Sequence, residues 1–114
     1  MTTLKDKIAI VTGGGSGIGR GISLALAKSG VRVVVCGRRK ENLDQTIQDI
    51  WEAGGGGLAV QTDVSDEGDV ERLVNQVIER YQTIDYLINN AGIDGGAPIH
   101  LQSVEEWDRV MATN

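Results

Sequence analysis

The sequence predicts an α/β protein, a doubly wound parallel sheet built in the order β-α-β-α-β-α-β-α with strand order 3-2-1-4. Three observations predict it. Short continuous apolar runs alternate with longer amphipathic ones, the pattern of parallel strands joined by right-handed helical crossovers. A glycine-rich stretch, Thr12-Gly13-Gly14-Gly15-Ser16-Gly17-Ile18-Gly19, joins the first apolar run to the first amphipathic one. The other polar or glycine clusters, at 36–39, 63–64 and 89–92, each fall just past an apolar run, where an open parallel sheet binds its ligands.

Ile8-Ala9-Ile10-Val11 reads as a strand buried on both faces. The helix after it, Ile18 to Ser29, carries Ile18, Ile22, Ala25 and Leu26 at helical spacing, with Gly30 to cap its end. Val31 to Cys36 is a second buried strand rich in β-branched residues. Lys40 to Ala53 is a second helix with Leu43, Ile47, Ile50 and Trp51 on one face, ended by a flexible turn at Gly54–Gly57. Leu58 to Gln61 is the third strand. Ser65 caps the third helix, whose first turn holds Asp66, Glu67 and Asp69 and whose stripe is Val70, Leu73, Val74, Val77, Ile78 and Tyr81. Ile84 to Ile88 is the fourth strand and runs into Asn89-Asn90-Ala91-Gly92. A loop with the lone proline, Pro98, leads to Ser103-Val104-Glu105-Glu106, a capping box that starts a fourth helix.

Composition bounds the function. At 114 residues the chain holds one domain at most, with a modest core. Its 40% hydrophobic and 24% charged residues are ordinary for a soluble globular protein. No apolar run reaches the roughly 18 residues of a membrane span, and the first residues lack a signal-peptide core. A single cysteine, Cys36, fits a reducing, cytoplasmic setting and reads as a small apolar filler. A single histidine, His100, argues against a zinc site. A net charge of −5 gives no bulk attraction to nucleic acid or to anionic membrane, so any bound anion must be held locally.

The first loop supplies such a hold. A glycine-rich turn between strand and helix aims backbone N–H groups and a helix N-terminus at one point, a ready phosphate or pyrophosphate site. The candidate cradle is Gly13, Gly15, Ser16, Gly17, Ile18 and Gly19. Gly13 allows the sharp exit from the strand, Gly17 lets backbone approach the ligand, and Gly19 lets the helix pack close to the sheet. It is not a P-loop, because Gly14 and Gly19 are followed by Arg20-Gly21 where lysine and a hydroxyl would stand. The end of the second strand selects the ligand. An NAD site places a carboxylate there for the ribose hydroxyl; this chain has Cys36-Gly37-Arg38-Arg39. Guanidinium suits a 2′-phosphate, so NADP(H) is favoured over NAD(H), with Arg38 as the main contact. Taken singly, each of these features could also be a solvated surface turn.

Thr12-Gly-x-x-x-Gly-x-Gly19, Asp63-Val64, Asn89-Asn90-Ala91-Gly92 and Glu106-Trp107-Asp108…Asn114, in this order, closely resemble the N-terminal half of the short-chain dehydrogenase/reductase family, in particular its 3-oxoacyl-[acyl-carrier-protein] reductase-like members. The resemblance covers essentially the whole chain. It implies a Rossmann-like dinucleotide-binding domain over residues 1–114, cut within the fourth helix. It implies that Asp63 bonds the adenine amino group with Val64 packed beside it, that Asn90, Ala91 and Gly92 line the cofactor, and that Asn89 ties the sheet together. The family's catalytic group is Asn, Ser, Tyr and Lys, and Asn114 matches the Asn.

The same resemblance implies a hydride-transferring oxidoreductase acting on a small carbonyl or alcohol, homo-oligomeric at full length, with no nucleic acid or membrane partner. The Tyr-x-x-x-Lys pair is absent, since Tyr81 is followed four residues on by Asp85 and Tyr86 by Asn90. A proton donor at the carbonyl is worth about 10²–10⁴-fold in rate, so the isolated chain is expected to be inactive. Its fourth strand is expected to be an uncovered apolar edge. The alternative is a stand-alone nucleotide-binding or interaction module. A methyltransferase-like protein is disfavoured, because that class wants a carboxylate where Gly37-Arg38 stands.

Overall fold

Ile8–Thr12 form the central strand β1, and all five residues are buried. A computed structural model places around it α1 (Gly17–Lys28), β2 (Arg32–Gly37), α2 (Lys40–Glu52), β3 (Gly57–Gln61), α3 (Glu67–Tyr81), β4 (Tyr86–Asn89) and β5 (His100–Gln102). The structure describes residues 4–90 and the strand at 100–102. The fourth helix expected from Ser103 onward lies outside the described residues.

The sheet order is β3-β2-β1-β4-β5. β1 pairs in parallel with β2, from Ile8↔Arg32 to Thr12↔Cys36, and with β4, from Ala9↔Tyr86 to Val11↔Ile88. β2 pairs in parallel with β3 from Val33↔Gly57 to Gly37↔Gln61. The carboxyl ends of four parallel strands therefore lie side by side. The predicted 3-2-1-4 order is present, but the free edge expected at β4 is not. β5 covers it in antiparallel register, Leu87↔Gln102, Ile88↔Leu101 and Asn89↔His100. Three residues carry too little alternation to announce a strand; the unpaired backbone groups of β4 decide their pairing.

Alternate residues of each strand feed two cores, as the period of two demands. Ile8, Ile10, Val34, Cys36, Val60 and Leu87 pack with Leu73 and Val77 of α3. Ala9, Val11, Val33, Val35 and Ile88 pack with Leu43, Ile47 and Ile50 of α2 and with partly buried Ile22 and Leu26 of α1. Each fully buried aliphatic side chain contributes about 1.5–3 kcal/mol of transfer free energy, which explains why the central strands are apolar throughout; their β-branched residues suit the pleated backbone.

Five local expectations need correction. In α1 the residues at the sheet are Gly19 and Ser23, while Ile18 is 55% exposed and Ala25 is exposed. The helix lies so close to β1 that its contact line runs through small residues, and the larger ones flank it. In α2, Trp51 is 60% exposed while its neighbour Ile50 is fully buried, so the face of the helix that meets the sheet runs through Leu43, Ile47 and Ile50 and leaves Trp51 at its margin. Ile78 of α3 is likewise exposed at 42%, flanking a stripe centred on Val70, Leu73 and Val77. The cap of α3 is Asp66, whose side chain accepts from the Asp69 N–H at 3.1 Å; the Ser65 hydroxyl instead donates to Asp63 at 2.6 Å. Gly57, expected in the flexible turn, is instead the first residue of β3, buried and so close to β2 that a Cβ there would lie 2.2 Å from the Val33 carbonyl oxygen.

Candidate functional site

The carboxyl ends of the four parallel strands are stitched together by a line of hydrogen bonds. At the end of β1, the Gly13 N–H donates to the Cys36 carbonyl of β2 at 2.8 Å. At the end of β2, the Gly37 carbonyl accepts from the Thr62 N–H past β3 at 2.7 Å. On the other side of β1, the Thr12 hydroxyl accepts from the Asn90 N–H at 2.7 Å and donates to Asn89 Oδ1 at 3.1 Å. Loops from β1, β2, β3 and β4 thus form one continuous rim.

The first loop leaves β1 at Gly13 and enters α1 at Ser16, the N-cap residue, whose side chain makes no capping bond. The first turn of α1 holds no acidic residue. Its N–H groups lack intrahelical acceptors by geometry, and the positive end of the helix dipole stands without a nearby countercharge from that turn. Gly17 has φ +56° and nothing within 4 Å of where a Cβ would be, so the loop borders open space there. Gly19 is the opposite case: a Cβ there would lie 2.0 Å from the Gly13 carbonyl oxygen and 2.6 Å from Asn90 Nδ2. The loop is therefore closed against the sheet at Gly19 and open outward at Gly17. A pyrophosphate group fits this arrangement, because backbone amides can reach it without a side chain in the way.

Arg38 follows β2 directly and is exposed. Its guanidinium stands 3.6 Å from the Asp63 carboxylate. Asp63 also accepts from the Ser65 hydroxyl and from the Ser65 N–H, at 2.6 and 3.0 Å. These bonds, then the Arg38 charge, hold the Asp63 carboxyl below its ordinary range. Val64 beside it is 42% exposed, an apolar face at the rim. Cys36 is fully buried, and burial pushes its thiol up to about 12. It is a packing residue and no nucleophile.

The structure brings Gly13, Gly15, Ser16, Gly17, Ile18 and Gly19, Arg38, Asp63 and Val64, and Asn90 to this one rim. Ala91, Gly92 and Asn114 lie outside the described residues. Sequence reasoning passed over several rim residues. Asn42 of α2 backs the loop, its Cβ lying 2.9 Å from where a Cβ on Gly15 would be. Arg20 of α1 bonds Thr46 at 3.2 Å and pairs with Asp49, fastening α1 to α2. That pairing, with the Gln45 amide, lowers the Asp49 carboxyl. The Gln61 amide reaches the Arg38 carbonyl. Each depends on a partner at least 23 residues away in sequence; no local motif announces such pairs.

Among the described residues, no helix is long and apolar enough to cross a membrane. The family model described as short chain dehydrogenase matches residues 7–114. An uncharacterized oxidoreductase of Listeria monocytogenes is 37% identical over 112 residues, 98% of this chain and 45% of that protein. The chain thus spans less than half the length of such curated relatives. A short-chain dehydrogenase/reductase homolog of Bacillus subtilis is 41% identical over 95 residues, 82% of this chain and 87% of that protein. Similar solved structures carry either nicotinamide form. An actinorhodin polyketide ketoreductase variant with NADPH is 43% identical, with TM-score 0.75, over 86% of this chain and 38% of its own. A Burkholderia phymatum short-chain dehydrogenase/reductase with NAD is 30% identical, with TM-score 0.73, over 76% of this chain and 31% of its own. Rim, strand order and sequence agree: the chain belongs to the short-chain dehydrogenase/reductase family.

Proposed function

We propose that residues 1–114 form the NADP(H)-binding part of a short-chain oxidoreductase that moves hydride between a nicotinamide and a small carbonyl or alcohol. The observation that carries this reading is the rim itself, with an outward-open glycine loop beside a strand end that bears Arg38 and no carboxylate. When bound, the nicotinamide supplies the hydride. The chain's own residues bind and orient: the amides of Gly13 to Gly19 hold the pyrophosphate, Arg38 the 2′-phosphate, Asp63 and Val64 the adenine, and Asn90, Ala91 and Gly92 the nicotinamide side. Asn114 contributes to the catalytic group. No Tyr-x-x-x-Lys pair occurs among these residues, so this chain by itself holds no proton donor of that kind and reduces no carbonyl. A fully buried lone cysteine suits a reducing compartment, and we read the protein as cytoplasmic and, at full length, homo-oligomeric.

Titration with NADPH and NADH tests the cofactor. Tighter NADPH binding, lost by on the order of tenfold or more in Arg38→Ala, is expected from a charge-assisted contact. NADH binding that is equal or better, and unchanged by that substitution, overturns the assignment.

A second reading, a nucleotide-binding module without catalysis, is favoured by the Bacillus subtilis homolog, most of whose length this chain matches. The two separate on one assay: a stable monomer that binds NADPH and has no carbonyl-reducing partner segment in its reading frame supports the module, whereas a downstream Ser and Tyr-x-x-x-Lys supports the enzyme.

A further inference from the structure

Three successive carbonyls at the end of β2 are each held. That of Gly37 accepts from the Thr62 N–H at 2.7 Å, and that of Arg39 from the N–H groups of Asn42 and Leu43 at 3.1 and 3.2 Å. Between them, the Arg38 carbonyl accepts from the Gln61 side-chain amide at 2.9 Å. The first and third are backbone bonds that the fold supplies whatever the side chains. The second belongs to Gln61. It crosses from the last residue of β3, whose register partner is Gly37.

The Arg38 side chain is 76% exposed, and its guanidinium approaches a carboxylate that is itself 42% exposed. An ion pair so placed orients a side chain weakly. The direction in which the guanidinium leaves the rim is therefore set chiefly by the peptide that roots it. We propose that Gln61 is a positioning residue for cofactor choice: by holding the Arg38 carbonyl it fixes that root, and so strengthens the preference for a 2′-phosphate. This rests on the reading of Arg38 given under Proposed function. A neutral amide suits the task, since it donates to the carbonyl and brings no negative charge beside a phosphate; an ionised Glu could do neither.

Adenosine 2′,5′-bisphosphate and ADP, titrated into the protein at its natural length, test this without any turnover. Gln61→Met keeps the side chain's size and removes the donor. It is expected to weaken the bisphosphate about three- to tenfold, the range of one neutral hydrogen bond, while leaving ADP unchanged. In an Arg38→Ala background the same substitution is expected to cost nothing more, because its effect runs through Arg38. Equal losses for both nucleotides, or an undiminished loss in the Arg38→Ala background, overturn the role of Gln61 while leaving Arg38 as the phosphate contact. If Arg38→Ala itself leaves the bisphosphate unaffected, the phosphate reading of Arg38 falls, and the role of Gln61 with it.

Discussion

The backbone N–H of Asn90 donates to the side-chain hydroxyl of Thr12 at 2.7 Å, across 78 residues of sequence. The bond locks the exit of β4 to the exit of β1. It also sets Asn90 Nδ2 beside the Gly13 carbonyl, 3.5 Å away, where the first turn of α1 passes at Gly19. Strand pairing and loop shape are thus coupled at one threonine.

Thr12→Val keeps the shape and removes the hydroxyl. The Asn90 N–H then loses its acceptor in a half-buried place, at a cost of about 1–3 kcal/mol. Chemical denaturation should show that loss, and Thr12→Ser should recover most of it. Faster amide exchange at Asn90 in the valine variant locates the effect.

Gly19→Ala forces a methyl group to within 2.0 Å of the Gly13 carbonyl oxygen. Strain of about 1–3 kcal/mol is expected, with NADPH affinity falling as the loop shifts. Gly21→Ala is the control. Nothing lies within 4 Å of the added carbon, and alanine is the better helix former, so stability should rise by about 0.5–1 kcal/mol. A loss at Gly21 equal to that at Gly19 would refute the close approach as the cause.

Ile50 and Trp51 are neighbours in α2 with opposite surroundings, one fully buried and one 60% exposed. Ile50→Ala should cost about 2–5 kcal/mol by opening a cavity. Trp51→Ser should change stability by less than about 1 kcal/mol. Trp51 borders a groove with Ile47, Leu58 and Ala59, and its fluorescence should be readily quenched by iodide in the native state.

Asp63 provides a pH dependence. Its carboxyl is lowered from an ordinary value of 3.8, first by the Ser65 hydroxyl bond, then by the Ser65 N–H and the Arg38 charge. A depressed folded value means that the unfolded chain binds the proton more readily. The stability so gained is fully present above 3.8 and is lost as pH falls through the lower, folded value. Carboxyl NMR titration should show Asp63 below the ordinary value, and Ser65→Ala should move it back up. Asp63 titrating at its ordinary value in the wild-type protein would contradict the Ser65 bonds.

Much of the fold was legible because its signals are local. The branched runs of β1 and β2 and the stripe of α3 announce themselves within a dozen residues, and the glycines of 13–19 mark their own turn. The candidate rim was legible in outline for the same reason, since each of its pieces sits just past a strand. Ser65 and Asp66 show where local reading fails: both residue types cap helices, and the choice was made by Asp63, which took the Ser65 hydroxyl. Ile18 and Trp51 fail differently. Periodicity locates an apolar stripe, but not how close the helix comes to the sheet or which residues fall at the margin of the contact.

By itself, then, the sequence determined the alternation of strands and helices, the 3-2-1-4 order, and the placing of Gly13–Gly19, Arg38, Asp63 and Asn90 at the carboxyl ends of strands. The alternation and the placing of these residues follow from side-chain period and turn chemistry, which act over short stretches of chain; the strand order follows from the resemblance to the dinucleotide-binding fold. Tertiary structure alone decided that β5 closes the edge of β4, that small Gly19 and Ser23 rather than Ile18 meet the sheet, and that Thr12 and Gln61 tie down Asn90 and Arg38. Each of those is a contact between residues far apart in the chain, and its geometry exists only once the strands are paired.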